Sequence, residues 1–184
     1  MSNMSIHTAA LNQQVGLVRT LLSQDPNLLN AQDVDSRTAL HWAATSGSLD
    51  IWLDPVAHRL LTSAGHDDVV RELLGAGADV KKTNDKGLTA LAATTGSTGL
   101  INVLLHPPEG SPKTRLNPAD RVGNTPLHLA MESAHAEAAC LLIEAGADRT
   151  RENLDGETPE ALEGVGGQEQ KRARAYVIER CGKP

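Results

Sequence analysis

The sequence predicts an all-α solenoid of stacked helix-turn-helix repeats with short hairpin loops. Three observations carry that prediction. A Thr-x-Leu-His block occurs twice in 184 residues, and partial forms recur on the same frame. The apolar fraction is 40%, yet it holds no Phe, one Tyr and two Trp. A core without aromatic bulk, built from Leu, Val and Ala, suits thin layers of short helices set close together. Gly-Ala-Asp turns follow Leu-Leu pairs, as expected where each unit buries its apolar face only against its neighbours.

The clearest unit runs from Asp120 to Asp148. It reads Gly123-Asn124-Thr125-Pro126-Leu127-His128-Leu129-Ala130, then Ala134-His135, Leu141-Leu142-Ile143 and Gly146-Ala147-Asp148. Thr125 can cap a first helix, and Pro126 fits its first turn, where no amide partner is lost. Ala130 keeps that helix thin for the next unit. Leu142 and Ile143 fill the layer between units, and Gly146 ends the second helix in a left-handed conformation. This block resembles the ankyrin repeat, with its period of about 33 residues and Thr-Pro-Leu-His-x-Ala signature.

The frame recurs. Ile6-His7-Thr8-Ala9-Ala10 leads to Leu21-Leu22, and Thr38-Ala39-Leu40-His41-Trp42-Ala43-Ala44 to Gly47. Gly65-His66 leads to Leu73-Leu74, Gly96 to Leu104-Leu105, and Asp155-Gly156-Glu157-Thr158-Pro159 opens a last unit. The expected organisation is a single ankyrin-repeat domain over 1–184. It comprises an N-terminal capping repeat (1–33), a truncated repeat (34–54), a degenerate repeat (55–83), a shortened repeat with a Pro-rich insertion (84–119), an intact repeat (120–152) and a C-terminal cap (153–184). Glu160 stands where the motif has Leu, which suits a cap with a solvated outer face. Gln168 to Cys181 reads as a closing helix, with Ala173, Tyr176, Val177 and Cys181 on one face.

Two places break the frame. After Ile51 the second helix of its repeat should supply a Leu-Leu pair near positions 55 and 56, but the sequence gives Trp52-Leu53-Asp54-Pro55-Val56. A proline inside a helix costs roughly 3 kcal/mol. Leu61 and Thr62 occupy positions that the frame reserves for small residues, so about half a repeat reads as missing. In the second break, Thr89-Ala90-Leu91-Ala92-Ala93 lacks a His-x pair, which makes that first helix two residues short. Both read as junctions where longer text was joined, as in a shortened splice form or a faulty gene model. The prolines from Pro107 to Pro118 read as an extended hairpin insertion.

The charge balance is 17 Lys+Arg against 23 Asp+Glu, a formal net charge of -6, which argues against a nucleic-acid partner. The first residues show neither the basic nor the apolar region of a signal peptide, and no apolar run is long enough for a membrane span. Cys140 and Cys181 have no metal or redox spacing, and Cys140 reads as a small buried hydrophobe. A cytoplasmic and nuclear location is expected.

Of seven histidines, His7, His41 and His128 are motif residues whose rings bond neighbouring backbone, and His66 and His135 open second helices. His58 and His106 lie outside the frame without partners at metal-ligand spacing. Asp67-Asp68 suits a helix N-terminus. Gly164 to Gly167 lacks the preceding strand and following Lys-Ser/Thr of a phosphate loop. No nucleophile, base and orienting group assemble. The chain reads as a protein-binding scaffold, not an enzyme, with no cofactor and no metal.

Further segments resemble the gankyrin family, ankyrin-repeat chaperones of proteasome regulatory-particle assembly, as a shortened version. They are Asp35-Ser36-Arg37-Thr38-Ala39-Leu40-His41-Trp42-Ala43 and the Gly123 to Ala130 block. The tail from Asp155 through Gln170 is similar to the fungal branch. The likeness covers roughly residues 5–51 and 64–182. It implies a monomer whose concave face grips the C-terminal domain of a proteasomal ATPase subunit. The positions it carries over are Asp35, Arg37, Asp85, Lys86, Arg121, Asn124, Glu132, Asp155 and Glu157. Arg37 is suited to a bidentate carboxylate contact. Trp42 is expected to pack against the next repeat. The alternatives are an ankyrin adaptor for another protein partner, or a truncated product with impaired binding.

Overall fold

The computed structural model describes residues 5–46, 66–94, 96–164 and 166–184. Among these, nine α-helices and no strand are present. They are α1 (Ile6–Leu11), α2 (Val15–Gln24), α3 (Ala39–Ser46), α4 (His66–Gly75), α5 (Ala90–Ala93), α6 (Thr98–Leu105), α7 (Pro126–Glu132), α8 (Ala136–Glu144) and α9 (Gly167–Cys181). A 3₁₀ turn, Pro26–Asn30, follows α2.

The helices form two rows. The inner row is α1, α3, α5 and α7, each packed on the next, and the outer row is α2, α4, α6, α8 and α9. The core lies between the rows and between successive repeats. Outer helices contribute Leu73, Leu74, Leu100, Leu104 and Leu142, while inner helices contribute Ala9, Ala10, Ala43, Ala44 and Ala90, all essentially inaccessible. Alanine on the inner row and leucine on the outer row explain a core that needs no Phe. The chain is an all-α ankyrin-type solenoid.

Local signals act as the sequence dictates. Ser5, Thr89 and Thr125 cap α1, α5 and α7 through their hydroxyl groups. At Thr125 a capping box joins the hydroxyl to the His128 amide while the His128 ring accepts from the Thr125 amide. The inner-to-outer turn takes a positive φ at Gln13 (57°), Gly96 (88°) and Ala134 (56°). Gly96 has a second role: a Cβ there would meet the His135 ring at 2.5 Å. The missing His-x pair leaves α5 four residues long, against eight in α3 and seven in α7.

At the first break, residues 47–65 lie outside the described residues. Among the described residues, the units expected at 34–54 and 55–83 contribute one helix pair, α3 as the inner member and α4 as the outer. Leu73 and Leu74 supply the Leu-Leu pair, and α3 packs directly on α5. Thr125 and Thr158 are 33 residues apart, whereas Thr38 and Thr89 are 51 apart. Counted against the one helix pair among the described residues, the stretch has 18 surplus residues; counted against two units of 33 it is 15 short, the half repeat expected from the sequence. Trp52, Pro55, His58, Leu61 and Thr62 lie outside the described residues.

The Pro-rich insertion is non-helical, as expected, and also caps helices. The Ser111 hydroxyl donates to the Leu74 carbonyl (2.9 Å) and the Thr114 hydroxyl to that of Leu104 (2.6 Å). These two carbonyls belong to the last turns of α4 and α6, where no helical amide remains.

The C-terminal cap departs from expectation twice. Glu160 is not solvated: Arg149 Nε and Nη2 each lie 2.7 Å from its Oε1, and both side chains are nearly buried. Arg149 also donates to the Cys181 and Gly182 carbonyls, which ties the end of α9 to the hairpin that follows α8. A buried carboxylate is tolerated because the guanidinium satisfies it and spends its remaining donors on helix-end carbonyls. On α9, Ala173 and Val177 are buried and Cys181 is half-buried, but Tyr176 turns to the edge, 38% exposed. Gln170, deeply buried, donates to the Met131 carbonyl at the end of α7.

Candidate functional site

Four hairpin tips project in a row from the N-terminal ends of α3, α5, α7 and the last repeat. Each is a five-residue turn of one design. Its first residue is Asp33, Asn84, Asp120 or Asn153, whose Oδ1 accepts the amides of the third and fifth residues at 2.8–3.0 Å. The fourth residue has a positive φ: Ser36 60°, Gly87 83°, Gly123 85° and Gly156 76°. The short Asx side chain closes the turn that the left-handed residue opens.

Successive tips are joined through the backbone. The Asp85 amide donates to the Asp35 carbonyl (2.9 Å), Arg121 to Lys86 (3.2 Å) and Leu154 to Val122 (3.0 Å). The same register at all three joints shows that tips 33–37 and 84–88 are consecutive. Gly123 permits the approach: a Cβ there would lie 2.8 Å from the Leu154 amide nitrogen.

The motif histidines lock each tip to the next repeat. His41 Nε2 donates to the Leu88 carbonyl (2.9 Å) and His128 Nε2 to that of Glu157 (3.1 Å), while each Nδ1 faces the amide of its capping Thr. A ring with a carbonyl on one nitrogen and an N–H on the other must be neutral. Burial pushes both histidines below the ordinary imidazole value. His7 Nε2 reaches the Ala31 carbonyl in the same way (3.0 Å).

With the backbone committed, what the tips have left to offer is their side chains. Arg37 pairs with Asp35 (3.0 Å), and its guanidinium carbon lies 4.7 Å from the Trp42 ring centroid. The Trp42 indole donates to Asp33 Oδ2 (2.7 Å). Trp42 therefore braces the tip of its own repeat and lines a cleft with Ser5, His7 and Thr8. Burial works against the charge of Asp33, but bonds from the Arg37 amide, the Trp42 indole and the Asp35 amide outweigh it and hold its carboxyl below the usual range. Asp85, Lys86, Arg121 and Asp155 are exposed, and Glu157 is partly so.

The remaining two expected positions lie at a tip and on an inner helix. The Asn124 side-chain oxygen accepts from Asn153 Nδ2 (3.0 Å), a joint between tips. Glu132 is exposed at the far end of α7, roughly 10 Å from the tip at 1.5 Å per residue. Sequence reasoning missed the apolar component of the ridge: Val34 is 99% exposed, Leu154 77% and Val122 51%. Their position in the tips, flanked by Asx and a left-handed residue, is the signal that could have found them.

Among the described residues no group of three His, Cys, Asp or Glu side chains is poised to hold a metal ion, and no helix is long and apolar enough to cross a membrane.

Comparison with known proteins agrees with this geometry. Models of ankyrin repeats match residues 6–51 (many copies) and 58–153 (three copies). The chain is 26% identical to the probable 26S proteasome regulatory subunit p28 of Saccharomyces cerevisiae, over 78% of this chain and 86% of the yeast protein. It is 34% identical to oxysterol-binding protein-related protein 1 of Rattus norvegicus, over 52% of this chain and a tenth of that protein. A likeness of 27% extends to a transient receptor potential cation channel subfamily A member 1 homolog of Caenorhabditis elegans, over 76% of this chain and 12% of the channel. With its helix pairs, tip register and signature residues, the chain belongs to the ankyrin-repeat family, a non-catalytic protein-interaction scaffold.

Proposed function

We propose that the tip ridge and the adjoining inner helices bind one protein partner, the C-terminal domain of a proteasomal ATPase subunit. The chain would then act as a gankyrin-like chaperone or regulator of regulatory-particle assembly, in the cytoplasm and nucleus. The observation that carries this reading is the likeness to the yeast proteasome regulatory subunit, which extends over most of both chains. The ridge supports it physically. Arg37, Lys86 and Arg121 stand beside Asp35, Asp85 and Asp155, with Val34, Val122 and Leu154 as exposed apolar contacts. A polar ridge with a few apolar anchors is the composition of a non-obligate interface.

Affinity capture from lysate of the source organism, read by mass spectrometry, tests the reading. Proteasomal ATPases should be enriched, and a variant with Arg37, Lys86 and Arg121 changed to Ala should lose them. Enrichment of an unrelated protein by the same ridge would instead make the chain an adaptor for that partner.

A further inference from the structure

The two cysteines, 41 residues apart in sequence, meet across the α8–α9 interface. Cys181 packs against the buried cluster that contains Cys140, and its thiol is a polar neighbour of the Cys140 thiol. Cys140 is fully buried in the core, whereas Cys181 is half-buried at the end of α9. Two further contacts hold them together. Arg180, next to Cys181, pairs with Glu144, one turn beyond Cys140 (2.9 Å), and Arg149 grips the Cys181 carbonyl. α9 is the last helix of the stack and covers one face only, against α7 and α8. A crosslink at its end would therefore tie it to the repeat against which it packs.

We propose that Cys140 and Cys181 are a redox modification site, which peroxide converts to a disulfide that ties the capping helix α9 to the stack. Cys181 is the thiol that oxidant can reach. Its thiolate attacks one peroxide oxygen, the O–O bond breaks, and the departing hydroxide takes up the proton the thiol released, giving water and a sulfenic acid. The Cys140 sulfur then attacks the Cys181 sulfur and the S–O bond breaks. Hydroxide leaves with the Cys140 proton as a second water. Two thiols lose two electrons, and one peroxide becomes two waters. Burial pushes the Cys140 thiol up to about 12, and the Cys181 contact adds to the shift; Arg180 opposes it and Glu144 reinforces it. Cys140 thus stays protonated and does not react with oxidant directly. Its role is to resolve the sulfenic acid beside it, where contact supplies the effective concentration that low thiolate content lacks.

The test uses the full chain, treated with hydrogen peroxide, alkylated under denaturing conditions and mapped by mass spectrometry. The expected product has no alkylatable thiol, contains one crosslinked peptide joining Cys140 to Cys181, and reverts with dithiothreitol. Amide exchange across residues 167–181 should slow by about tenfold or more in the oxidised chain. In Cys181→Ser the Cys140 thiol should remain alkylatable after the same treatment, and this variant changes a half-buried position with little risk to folding. Cys181 oxidised to sulfinic acid, or two chains joined through Cys181 with Cys140 still alkylatable, would overturn the site. A crosslink without slower exchange would overturn the tethering.

Discussion

The guanidinium of Arg37 lies over the Trp42 ring, its central carbon 4.7 Å from the centroid, and pairs with Asp35 at 3.0 Å. Arg37 is therefore held in place before any partner arrives, and a contact made through it loses little side-chain entropy. Arg37→Ala should weaken binding to the ATPase C-terminal domain by on the order of 1.5–3 kcal/mol. The cost to folding should be smaller, about 0.5–1 kcal/mol for an exposed cation–π contact. Calorimetry paired with urea unfolding separates the two effects. Unchanged affinity removes this tip from the interface.

Arg149 and Glu160 form a nearly buried pair, so removing one partner strands the other. Glu160→Ala should destabilise the chain by about 3–5 kcal/mol, with the loss concentrated in α9, whose last carbonyls depend on Arg149. The motif residue, Glu160→Leu, should not rescue it, because Arg149 would remain unpaired. Hydrogen exchange resolved by segment provides the check. Equal loss of protection in α1 and α9 would contradict the local role.

His41 and His128 are neutral in the fold and burial holds them below their unfolded value. Between the folded and unfolded values the unfolded chain binds more protons, so stability rises with pH. Their contribution is complete above about pH 6.5 and declines as pH falls below it. Protonation also sets an Nδ1–H against the Thr38 and Thr125 amides. The melting temperature should fall on going from pH 7.5 to 5.5, with a smaller fall in a His41→Gln/His128→Gln variant. An equal fall in both chains would place the sensitivity elsewhere.

Gly123→Ala combines a left-handed backbone with a Cβ 2.8 Å from the Leu154 amide nitrogen. The backbone alone costs about 1–2 kcal/mol, and the clash forces the last two tips apart. Gly110→Ala, at a similar φ but in open space, reports the backbone cost by itself. Urea unfolding should show a larger loss for Gly123→Ala, and equal losses would mean that the tips do not press on one another.

A chain lacking residues 48–65 restores the 33-residue spacing and joins Thr45-Ser46-Gly47 to His66, the counterpart of Ser133-Ala134-His135. It should fold with α3 and α4 still paired, and the shorter closure should add on the order of 1–2 kcal/mol. Circular dichroism and thermal melting decide the matter. A chain that fails to fold would show that the surplus residues are needed for the α3–α4 pair.

The sequence by itself determined the solenoid, its helix starts and its histidine locks. Those features are local: a Thr cap, a Pro in the first turn, a left-handed Gly and a Leu-Leu pair each act within one repeat of sequence. The short α5 and the non-helical Pro-rich segment were legible for the same reason. What only the tertiary structure decided concerns pairings distant in sequence. It assigned α4 as the partner of α3, because hydrophobic faces find each other across a connection whose length the frame does not record. It turned Glu160 from a solvated cap residue into the partner of Arg149, eleven positions away. It brought Cys140 to Cys181, and it aligned Val34, Val122 and Leu154 on one ridge. Periodicity reports which face of an element is buried. Which side chain meets which across that face depends on how the layers stack, and here backbone bonds between tips and histidine bonds between repeats set that stacking.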